Sequence, residues 1–107
     1  MCVTIIPAQV FIEPKNITMG KEIWFKALIT CPEKNDVKKL EAVICQGASG
    51  NPDKIKKIGQ NFKVSFETKD LLNIKPGGSV CLTVTAFFEK NGEKFALEGR
   101  DTVMIIE

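Results

Sequence analysis

Apolar side chains along this chain recur at every second position over short runs, the mark of strands with one buried face. The alternation is plainest at Phe62, Val64 and Phe66, interleaved with Lys63, Ser65 and Glu67. It recurs at Val80, Leu82, Val84, Ala86 and Phe88 within the run Ser79 to Glu89. Between Ile23 and Cys31, Phe25, Ala27 and Ile29 share one face, with Trp24, Lys26, Leu28 and Thr30 on the other. Val3 to Ile6 and Gln9 to Ile12 make a first strand interrupted at Pro7, an edge that changes partners. Lys39 to Gln46 is a third strand with Leu40, Ala42 and Ile44 inward, and Ile55 to Ile58 a short fourth. The last strand runs from Phe95 to Glu98 and on through Thr102 to Ile106, past a bulge at Gly99.

All five prolines fall between these runs. Asn91-Gly92 supplies the two positive-φ residues of a type I′ hairpin turn. Thr68 is placed as the N-cap of a short helical segment through Leu72, with Asp70 in its first turn. Seven antiparallel strands at this spacing predict a two-layer β-sandwich, because each apolar face needs another to cover it.

Composition sharpens this picture. Val, Ile, Thr, Phe and Trp total 35 residues against 12 for Ala and Leu, a balance that favours pleated structure. At 107 residues the chain has the length of one domain, spanning 1–107. Fourteen of its fifteen basic residues are lysine, set against thirteen acidic ones. Without arginine forks or interleaved aromatics, no nucleic acid is expected as a partner. Outward lysines instead solvate strands and discourage edge-to-edge pairing. No run approaches the roughly 20 apolar residues of a membrane span, so no membrane insertion is expected. The first residues lack the basic and apolar regions of an intact signal peptide.

Histidine is absent. That removes Ser–His and Cys–His nucleophiles and imidazole metal sites. With no Gly-rich phosphate loop either, the expectation is a protein that is not an enzyme, with no cofactor and no metal. Asp36, Asp53, Asp70 and Asp101 lie in or near turns, without the acidic spacing of an EF-hand.

Cys2, Cys31, Cys45 and Cys81 contain no Cys-x-x-Cys pair. An antiparallel first pair would bring Cys2 beside Cys31. In an immunoglobulin-like order the third and sixth strands pair, bringing Cys45 toward Cys81, both on the outward parity. Two disulfides, Cys2–Cys31 and Cys45–Cys81, are thus one reading. Four reduced thiols packed as small apolar groups are the other, and the favoured one. A redox or metal role for Cys45 and Cys81 is a further alternative. Trp24 and Leu28 share the outward parity of their strand, where Trp24 could anchor a protein or stack on a sugar unless neighbouring chain covers it. One Trp and no Tyr make a poor sugar platform.

Two stretches carry a resemblance. One runs from Ile17 through Lys21-Glu22-Ile23-Trp24-Phe25 to Cys31-Pro32-Glu33, with Asp36-Val37 beyond. The other joins Gly78-Ser79-Val80-Cys81-Leu82-Thr83-Val84-Thr85-Ala86 to Phe95 and Leu97-Glu98-Gly99-Arg100-Asp101-Thr102-Val103. Together they resemble the immunoglobulin-like β-sandwich modules repeated in large secreted or surface proteins of bacteria and archaea, some beside dockerin domains. The four cysteines, Arg100 and the Ala96-Leu97 insertion before Glu98 depart from that pattern. The resemblance implies a non-catalytic accessory module at the cell surface or outside it, which spaces or docks parts of a larger protein, its partners being neighbouring domains or another protein. The alternative is a module recognising protein or glycan through the Trp24/Leu28 face or a sheet edge. Gly99 and Asp101 match the terminal motif, Gly99 as the bulge and Asp101 as an acceptor for nearby backbone amides.

Overall fold

The period-two pattern resolves into two sheets. The structure is a computed structural model that describes residues 3–18, 24–31, 37, 39–45, 48–50, 55–71 and 77–106. Among these residues there are ten strands. They are β1 (Thr4–Pro7), β2 (Gln9–Glu13), β3 (Asn16–Thr18), β4 (Trp24–Thr30), β5 (Ala42–Cys45), β6 (Ala48–Ser49), β7 (Lys56–Ile58), β8 (Asn61–Glu67), β9 (Gly78–Lys90) and β10 (Glu93–Ile106). One sheet has the order β1-β10-β9-β5-β6, with β3 also on β10, and the other the order β2-β4-β8-β7. The chain is therefore all-β, a sandwich of two sheets.

Alternation puts the core where it is. Phe25, Ala27 and Ile29 of β4 and Phe62, Val64 and Phe66 of β8 are buried. They belong to one apolar cluster with Leu82, Val84, Ala86 and Phe88 of β9 and Leu97, Val103 and Ile105 of β10. Phe25 and Phe66 stack at 5.2 Å between ring centroids. Each large side chain buried in this way stabilises the fold by about 1.5–3 kcal/mol.

The long edge of β10 is shared. β1 lies parallel to its first half, from Thr4 beside Phe95 to Pro7 beside Glu98. The chain then leaves this sheet, and β2 joins the other as the antiparallel neighbour of β4. It returns through a cis Glu13–Pro14 peptide, and β3 lies parallel to the last residues of β10. Three bonds keep the travelling segment on β10. Ala8 N–H donates to Glu98 O at 2.9 Å, Ile12 N–H to Asp101 Oδ2 at 2.7 Å, and Met104 N–H to Lys15 O at 2.7 Å. Asp101 thus ties the edge strand of one sheet to the other sheet.

The sequence expectations hold in outline and fail at identifiable points. The interrupted first strand changes partners as expected, but it is two strands in different sheets. With β3 and β6 added, seven becomes ten. Asn91 and Gly92 have φ of 54° and 78°, as their hairpin turn demands. Ala42 and Ile44 point outward, while Val43 and Cys45 are buried. The cause is the bend at Glu41, whose N–H donates to Phe87 O, so Leu40 is buried ahead of the strand rather than on its alternating face. There is no bulge at Gly99. The β9–β10 register runs unbroken from Glu93 beside Lys90 to Ile105 beside Gly78. Thr68 is not the N-cap: Glu67 occupies that position of the 3-10 turn Thr68–Asp70, and Thr68 is buried. Asp101 lies inside β10 rather than in a turn.

Candidate functional site

Because Phe25, Ala27 and Ile29 face the core, Trp24, Lys26 and Leu28 on β4 must face outward. Register then decides their company. Phe11 of β2, Leu28 of β4, Lys63 of β8 and Lys56 of β7 form one row across all four strands. Glu13, Lys26 and Ser65 form the next row, with Trp24 and Glu67 beyond it. On the other side, Thr30 and Asn61 lead to Ile58. Side chains adjacent in such rows stand about 4.5–5.5 Å apart at Cβ.

The outer face so assembled carries a shallow groove. A part of about 280 Å³ is lined by Phe11, Glu13, Lys26, Leu28, Ile58, Asn61 and Lys63. A second part of about 580 Å³ is lined by Trp24, Lys26, Lys56, Ile58, Lys63 and Ser65. Lys26, Ile58 and Lys63 belong to both, so the two parts adjoin across these side chains. Phe11 is 46 % exposed, Trp24 39 % and Ile58 56 %, three of the eight large apolar side chains exposed among the described residues, the other five being on or beside the other sheet. Trp24 and Leu28 share this face as the strand parity requires. Sequence reasoning missed Phe11 and Ile58. Only the register brings Phe11 beside Leu28, and β7 is exposed at all three positions, leaving no alternation to follow.

Lys56 and Lys63 are direct cross-strand neighbours. The ion pairs among the described residues are Lys15–Asp101 and Lys69–Glu67, so within that set Lys26, Lys56 and Lys63 have none. At the β2 margin, the ammonium of Lys15 lies 4.1 Å from the centre of the Phe11 ring while also holding the Asp101 carboxylate. Burial works against the charged form of Asp101. The hydrogen bonds from Lys15, Ile12 and Thr102 outweigh it and hold the carboxyl below its ordinary range.

The cysteines form no site of their own. Cys31, Cys45 and Cys81 are free thiols. Cys45 faces the core beside Val84, whereas Cys81 is exposed on the outer face beside Thr102. The expected outward parity of Cys45 was wrong for the reason that misplaced Ile44, and the Cys45–Cys81 bridge is not formed. Burial pushes the Cys45 thiol up to about 12 and also raises that of Cys31, where Lys57 offsets it in part. Neither environment favours a thiolate nucleophile. Cys2 lies outside the described residues; it is Gln9 that pairs with Thr30 next to Cys31.

Among the described residues no three His, Cys, Asp or Glu side chains gather as metal ligands. Nor is any helix there long and apolar enough to cross a membrane. Comparison with protein-family models, curated proteins and solved structures finds no match to the chain.

Proposed function

We propose that the chain is a non-catalytic, immunoglobulin-like accessory module. Its β2-β4-β8-β7 face docks a neighbouring domain or a separate protein. Strand order supports the immunoglobulin-like reading. If β1, β3 and β6 count as additions, the remaining seven strands arrange as first-second-fifth-fourth in one sheet and seventh-sixth-third in the other. That order agrees with the two sheets of an immunoglobulin constant-type sandwich, which supports the reading. The docking reading rests on one observation: Phe11, Leu28 and Ile58 line one hollow on the outer sheet face, and Trp24 and Ile58 line the hollow next to it. Aromatic anchors set in a polar surround are what a protein interface uses.

The test is saturable binding to the domain or protein that the chain accompanies, followed by titration calorimetry. Trp24→Ala and Phe11→Ala should each weaken binding about tenfold or more, as hot-spot truncations do, with the far-UV circular dichroism unchanged. Ile44→Ser, on the outer face of the other sheet, should leave binding intact. The reverse pattern overturns the reading.

A further inference from the structure

The docking face is cationic as well as apolar: Lys26 stands across from Glu13, but Lys56 and Lys63 stand across from each other. Like charges directly opposite on neighbouring strands destabilise a sheet, yet Lys56 and Lys63 stand in that relation. No ion pair among the described residues relieves them. Lys26 stands in the next row, and the three ammonium groups flank the apolar floor made by Phe11, Leu28 and Ile58. A purely apolar partner would have to bury or displace three solvated cations. A partner bearing carboxylates would pair them and remove the repulsion.

We propose that this groove binds an extended segment of a protein partner that carries apolar side chains and carboxylates together on one side, at every second position, the apolar groups resting on Phe11, Leu28 and Ile58 and the carboxylates meeting Lys26, Lys56 and Lys63. This rests on the docking function above and adds the chemistry of the occupant. Four strands about 4.8 Å apart span about 14 Å, so a segment of about four extended residues crosses the face. Apolar lining of this extent distinguishes the site from a simple anion site, which needs cations and backbone amides alone.

Three synthetic peptides of about eight residues, long enough to cross the sheet in extended form, provide the test. Each carries on one side, at every second position, Leu and Phe interleaved with Glu, with Ser or with Lys, and Ser at the positions between. Binding to the intact chain is followed by amide shifts of β4 and β8. The Glu peptide should bind at least about tenfold more tightly than the Ser peptide and lose most of that advantage in high salt. Lys56→Glu should weaken the Glu peptide about fivefold or more while leaving the Ser peptide within about twofold, and Lys26→Ser should act in the same direction. Equal binding of the Glu and Ser peptides overturns the charge inference and leaves the docking reading standing. Tighter binding of a heparin fragment than of the Glu peptide assigns the face to a sulfated polysaccharide and also overturns the inference. No shift with any peptide at millimolar concentration counts against the docking reading itself.

Discussion

Gly99 and Asp101, two residues apart on β10, show how one side chain can govern a whole edge. A Cβ built on Gly99 would lie 2.4 Å from Ala8 O and 2.5 Å from Val10 Cγ2. The missing side chain is what lets the N-terminal segment cross from one sheet to the other. Gly99→Ala should therefore cost about 1–3 kcal/mol, the usual range for overpacking, read as a lower urea midpoint. An unchanged midpoint would mean that the crossing can move aside. Asp101 holds that crossing in place through Ile12 N–H and Lys15. Its carboxyl titrates below the ordinary value of 3.8 in the folded state. The stability it contributes is therefore complete above that value and is lost as pH falls below it, through the folded-state pKa. Asp101→Asn should cost about 1.5–3 kcal/mol at pH 7, as for hydrogen bonds to a charged group, and the gap to the unmodified protein should close toward pH 2. A gap independent of pH would show that charge is not what matters there. That Asp101 would accept backbone amides was expected from the sequence, and Ile12 and Thr102 supply them. The reason for Gly99 was not legible there, because a close approach by a segment some ninety positions earlier leaves no local trace.

At the scale of elements, alternation was a dependable guide wherever a strand was long and regular. β4, β8 and β9 bury the residues their period-two pattern assigned, apart from Val80, which is only half-buried. It misled at β5, where Leu40 has the hydrophobicity of a strand position but precedes a bend. Cross-strand partners share a face, so Val43 beside Ala86 and Cys45 beside Val84 must point inward with them. The error has a chemical consequence that alkylation can check. Iodoacetamide followed by peptide mass analysis should modify Cys81 in the native protein and Cys45 only after unfolding, given burial and a thiol pushed up to about 12. Rapid native labelling of Cys45 would contradict the assigned parity. β1, β2 and β3 illustrate a different limit. Pro7 signalled a break, but the choice between two sheets depends on which edges are open, a property of the assembled fold.

The whole molecule places two demands on the outer face of β2-β4-β8-β7, and they pull in opposite directions. Stability alone favours opposite charges across β7 and β8, whereas an acidic partner favours the lysine pair that is present. The face was half-legible in the sequence. Parity put Trp24 and Leu28 together, but only the registers of three strand pairs brought in Phe11, Ile58 and the lysine row. The conflict itself is measurable. Lys56 is exposed at the sheet edge, so Lys56→Glu removes little packing and converts a repulsive pair into an attractive one. The free protein should gain about 0.2–1 kcal/mol, the scale of a cross-strand charge pair. That gain should appear as a higher urea midpoint that shrinks at high salt, since the pair is screened. The same substitution should weaken the acidic peptide. A variant that is both more stable and a poorer binder would show that this edge is arranged for its partner at some cost to the fold. A loss of stability instead would mean that Lys56 has a structural role, and the unrelieved repulsion would no longer argue for an acidic ligand.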